Sequence, residues 1–66
     1  PLVFNAANEV AVESFLLNRI GFLQISGIIE QTLSKFDHQT KNDLQTLLYL
    51  DSEARRIASQ LIGPNS

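Results

Sequence analysis

No cysteine, methionine or tryptophan occurs among the 66 residues of this chain, and proline appears only twice. Without cysteine there is neither a disulfide framework nor a thiolate metal site to reinforce a small core, so helix packing has to carry the stability. A chain this short buries only about 60% of the surface its unfolded form exposes, which leaves room for one core and a thin margin. Residues 1–66 are therefore expected to form a single domain. No uninterrupted apolar run approaches the roughly 18 residues that a membrane-spanning helix needs, because Asn, Gln, Ser or Gly breaks each long stretch. Positive charge is scarce as well. Five Lys and Arg stand against seven Asp and Glu, for a formal charge of −2, and the basic residues are scattered. Such a chain lacks the positive footprint that neutralises nucleic-acid phosphates, so neither nucleic acid nor a membrane is an expected partner.

The opening Pro1-Leu2-Val3-Phe4 carries no basic residue, and polar Asn5, Asn8 and Glu9 follow at once, which is unlike a signal peptide. With no initiating methionine, the chain is expected to be a fragment or a processed product of a longer protein.

What the chain does have is helical periodicity. Asn5 is a candidate cap for a first helix over about Ala6 to Asn18, with Val10, Ala11, Ser14 and Leu17 at helical spacing and Gly21 as its stop. Placed at steps of about 100°, Leu17, Val10, Ala7, Ala11, Phe15 and Val12 spread over roughly 220°, wider than a one-sided surface helix needs. This helix is expected to pack on two sides. Leu16, together with Leu2, Val3 and Phe4, is the candidate surface for docking onto protein outside the domain.

Ile25, Ile28, Ile29, Thr32, Leu33 and Phe36 make an apolar stripe that predicts a second helix over about Gln24 to Phe36. Its interior Gly27 predicts a close helix contact at that point. The polar run from Asp37 to Asn42 reads as a loop, and Asn42 or Asp43 can cap a short third helix over Leu44, Leu47 and Leu48. Asp51 is a candidate cap for a fourth, in which Ala54, Ile57, Ala58 and Leu61 recur until Gly63-Pro64 ends the run. Ile57 and Leu61 are expected to be buried. No segment alternates apolar and polar residues over a strand length, so the expected architecture is all-α, a small up-and-down bundle of three to four helices.

Reactive constellations are absent. His38 stands alone in the polar loop, whereas a zinc site needs three or four convergent ligands. Glu9 and Glu13 lie four apart on one helix face, which reads as a solvated strip. Asp51-Ser52 has the form of a carrier-protein phosphopantetheine site but lacks the leucine expected after the serine, and a helix cap explains Asp51 more simply. Arg55 and Arg56 point about 100° apart and read as surface charges, with Asp51 and Arg55 a weak i, i+4 pair. The glycines at 21, 27 and 63 are too dispersed for a phosphate loop.

The run Phe4-Asn5-Ala6-Ala7-Asn8-Glu9-Val10-Ala11-Val12, followed by Phe15-Leu16 and Ile20-Gly21-Phe22, resembles the stretch that opens the C-terminal helical domain of the 1-deoxy-D-xylulose 5-phosphate reductoisomerase family. The likeness continues through Ile28-Ile29-Glu30-Gln31-Thr32-Leu33 and Leu50-Asp51-Ser52-Glu53-Ala54-Arg55, in order and over nearly the whole chain. Gln24 departs from the family's usual Asp, and Leu23 is not a capping residue, so the second helix is expected to lack a good N-cap.

The resemblance implies a parent enzyme of the non-mevalonate isoprenoid pathway. That enzyme converts 1-deoxy-D-xylulose 5-phosphate to 2-C-methyl-D-erythritol 4-phosphate with NADPH and Mg²⁺ or Mn²⁺. It also implies a homodimer, cytoplasmic in bacteria or housed in a plastid-type organelle. The family's catalytic, metal-binding and cofactor-binding residues belong to earlier domains, so no catalytic, cofactor or metal residue is carried onto this chain. The expected partners are the remaining domains of the parent, and the chain alone is expected to be inactive. The competing readings are a free-standing helical interaction module and, if Ser52 were modified, an acyl-carrier-like protein.

Overall fold

The computed structural model describes residues 1–36 and 44–63. Three helices pack against one another, α1 (Leu2–Leu16), α2 (Gln24–Leu33) and α3 (Leu44–Ile62), with α1 against α3 the most extensive pairing. There is no strand among the described residues. The all-α expectation holds, with three helices among the described residues, the lower end of the expected number.

α1 starts a full turn earlier than a cap at Asn5 predicts. The Asn5 N–H already donates to the Pro1 carbonyl at 2.7 Å, and Pro1 holds the cap position without a side-chain hydrogen bond. Proline is tolerated at a helix start because its missing N–H would have had no intrahelical partner there. The longer helix also half-buries Leu2 and Val3, an apolar gain that capping preference does not weigh. The stop is Asn18 rather than Gly21. Asn18 has φ of 61°, its N–H donates to the Phe15 carbonyl at 3.0 Å, and the Arg19 N–H donates to the Ser14 carbonyl at 2.8 Å. This double closure satisfies two of the carbonyls left over at a helix end, and Asn is among the few non-glycine residues that accept the left-handed conformation it requires.

Gly21 instead starts the next element. Its N–H donates to Gln24 Oε1 at 2.6 Å, while the Gln24 N–H donates to the Gly21 carbonyl at 3.0 Å. The side chain reaching back three residues is one half of a capping box. Leu23 makes no side-chain cap, as expected, but Gln24 supplies a substitute. α2 ends at Leu33, three residues before the predicted Phe36, and its tail tightens into turns in which Lys35 and Phe36 donate to the carbonyls of Thr32 and Leu33. Thr32 is fully buried and donates its hydroxyl to the Ile28 carbonyl at 2.8 Å, which removes the penalty of an unpaired polar atom in the core.

Gly27 does not mark a close contact: a Cβ built there would meet nothing within 4 Å. The glycine is a plain deficit of helix propensity. Gly27→Ala is expected to stabilise the domain by roughly 0.5–1 kcal/mol, read as a rise in melting temperature; a fall would reveal a neighbour that needs the space.

The predicted third and fourth helices are one. α3 runs unbroken over 19 residues, so Asp51 is an interior residue and not a cap. No glycine or proline intervenes between Leu48 and Asp51, and an interior Asp costs only a fraction of a kcal/mol, about 0.7 relative to alanine. Continuity also buries Leu50, which a break before Asp51 would release. Gly63, with φ of 92°, ends the helix where predicted. The polar run with His38 and the candidate caps Asn42 and Asp43 lie outside the described residues.

On α3 the buried line is Leu50, Ala54, Ala58 and Ile62. Ile57 is only half-buried and Leu61 is 37% exposed, contrary to expectation. Helical spacing fixes the direction of the stripe, but which last-turn residue is covered depends on where the neighbouring chain passes. Here Ile62 joins Ile20, Ile28 and Ile29 in a core that Ala7, Ala11 and Ala58 complete.

Candidate docking surface

The polar residues singled out in the sequence become surface pairs rather than a reactive centre. Arg55 Nη2 donates to Glu9 Oε2 at 2.7 Å, and Arg55 Nε donates to Asp51 Oδ2 at 3.0 Å, so one guanidinium ties α1 to α3. The Asp51–Arg55 pair is the one the spacing predicts. Both carboxylates hold the Arg55 charge more firmly, Asp51 first and Glu9 second. With the Glu9 side chain 64% exposed, such a pair contributes only about 0.2–1 kcal/mol.

Arg56 donates through two nitrogens to the carboxylate of Glu53 at 3.0 and 2.8 Å. That hydrogen bonding, with the charge behind it, holds the Glu53 carboxyl below its usual range. A carboxyl depressed in the folded state stabilises above the ordinary carboxylate range and loses that contribution as pH falls through its folded value; the exposed position of its partner Arg56 keeps the effect small.

Glu13 and Ser52 are exposed, and among the described residues no three His, Cys, Asp or Glu side chains converge as metal ligands. His38 lies outside those residues.

The structure separates the candidate docking residues. Leu2 and Val3 are half-buried at the start of α1, while Leu16 is 70% exposed at the other end, about 18 Å from Phe4 along the axis. Phe4 belongs to a different feature, an open apolar groove of about 380 Å³ that runs along α2. Phe4, Phe22, Ile25, Ile29 and Leu33 line it, with Leu23, Ser26 and Glu30 alongside. Phe22 is anchored by an edge-on contact with Phe15, their ring centres 5.8 Å apart, yet remains 68% exposed, and Leu23 is 87% exposed.

The sequence holds a signal for this groove that lies in α2 rather than in the wide apolar arc of α1. At steps of about 100°, Ile28, Thr32, Ile25, Ile29 and Leu33 follow one another around α2 over roughly 140°, more than one packed side uses, and Phe22 adds to the apolar surface from the turn before the helix. Ile28 and Thr32 face the core, and Phe22 and Leu33 are left on the far edge.

A family model described as the DXP reductoisomerase C-terminal domain matches residues 1–57. The chain belongs to that family. Among relatives of this reductoisomerase domain, the 1-deoxy-D-xylulose 5-phosphate reductoisomerase of Rhodospirillum centenum is 48% identical over 63 residues, 96% of this chain and 16% of its own length. That of Xanthomonas campestris is 44% identical over all 66 residues, 17% of its own length. The solved structure of the Zymomonas mobilis reductoisomerase in complex with NADPH superposes with a TM-score of 0.87 at 44% identity, covering 97% of this chain and 17% of that one. The reductoisomerase domain therefore spans about one sixth of the length of these relatives.

Proposed function

We propose that this chain is the structural C-terminal domain of an NADPH-dependent reductoisomerase that converts 1-deoxy-D-xylulose 5-phosphate to 2-C-methyl-D-erythritol 4-phosphate. The match of residues 1–57 to the family's C-terminal domain carries the reading. The Zymomonas mobilis reductoisomerase was solved in complex with NADPH, which supports NADPH as the cofactor of the parent. The parent works in the bacterial cytoplasm as a homodimer, with Mg²⁺ or Mn²⁺ as its metal; the bacterial relatives support the setting, and the family resemblance implies the rest.

Among the described residues no cluster offers to hold those groups. Its glycines are dispersed, and its described acidic residues are exposed or half-buried, and are paired with arginines or lie apart from one another. No chemical step is assigned to its residues. What the domain offers the parent is a rigid apolar surface that holds neighbouring domains in productive geometry. A free-standing interaction module would expose a similar surface, but the family match favours the enzyme domain.

The pure 66-residue chain, incubated with NADPH and 1-deoxy-D-xylulose 5-phosphate, is expected to show no NADPH oxidation above background. Turnover by the chain alone would overturn the assignment of a purely structural role.

A further inference from the structure

We draw no further inference here: the strongest candidate, the open apolar groove along α2 between Phe4, Phe22 and Leu33, is an unpartnered face, and nothing in the structure shows what covers it.

Discussion

Ile62→Ala is expected to destabilise the domain by roughly 2–5 kcal/mol, whereas Leu61→Ala, one residue earlier, should cost well under half as much. Both substitutions remove the same number of carbons from the last turn of α3. Ile62 sits against Ile20 and Ile28 in the closed core, and truncation there leaves a cavity as well as lost burial. Leu61 is 37% exposed, so solvent fills part of the space its side chain vacates. Urea unfolding followed by circular dichroism separates the two. Equal losses, or a larger loss at Leu61, would show that α3 is rotated relative to its neighbours.

A second large effect is expected at the contact of α1 with α3. Ala7, Ala11, Ala54 and Ala58 are each 0% exposed, and with no side chain beyond Cβ they let the two helix backbones come close together. Ala58→Leu adds three carbons where there is no space, and overpacking of this kind costs about 1–3 kcal/mol or more. A domain of this size has a total stability of only about 3–10 kcal/mol, so the variant should be largely unfolded or should melt far lower. Ser59→Leu, at the adjacent exposed position, adds comparable bulk and should change the melting temperature little. If Ala58→Leu melted like Ser59→Leu, the close approach of α1 and α3 would be wrong.

These alanines show what the sequence makes legible. Ala11, Ala54 and Ala58 recur at helical spacing, and that periodicity is enough to place them on buried faces. The Gly63 stop and the Asp51–Arg55 pair follow from local chemistry in the same way. Local rules fail where a distant contact outweighs them. Asn5 and Asp51 are good caps, but burying Leu2, Val3 and Leu50 extends the helices past both. Asn18 takes the left-handed role that glycine statistics assign to Gly21, and Gly27 has no packing reason that spacing could reveal.

The groove was half-legible for a related reason. The width of an apolar arc is written in the sequence of α2, but the sequence of one domain does not say which part of that arc its own helices cover. Only the packed structure shows Ile28 covered and Leu33 partly bare. Family membership was the most legible feature. The run from Phe4 to Val12 sets the inward alanines Ala6, Ala7 and Ala11 in an otherwise uncommon sequence, and the family match extends over residues 1–57.

The central claim, that this chain completes a reductoisomerase without supplying any reacting group, is tested most directly by the turnover of a full-length chimaera in which this chain replaces the corresponding C-terminal part of the Zymomonas mobilis reductoisomerase. With 1-deoxy-D-xylulose 5-phosphate as substrate, NADPH-dependent kcat/KM is expected to stay within about tenfold of the natural enzyme, equivalent to about 1.4 kcal/mol of transition-state stabilisation. It should far exceed that of the enzyme truncated before this domain. A chimaera no more active than the truncated enzyme would contradict the account.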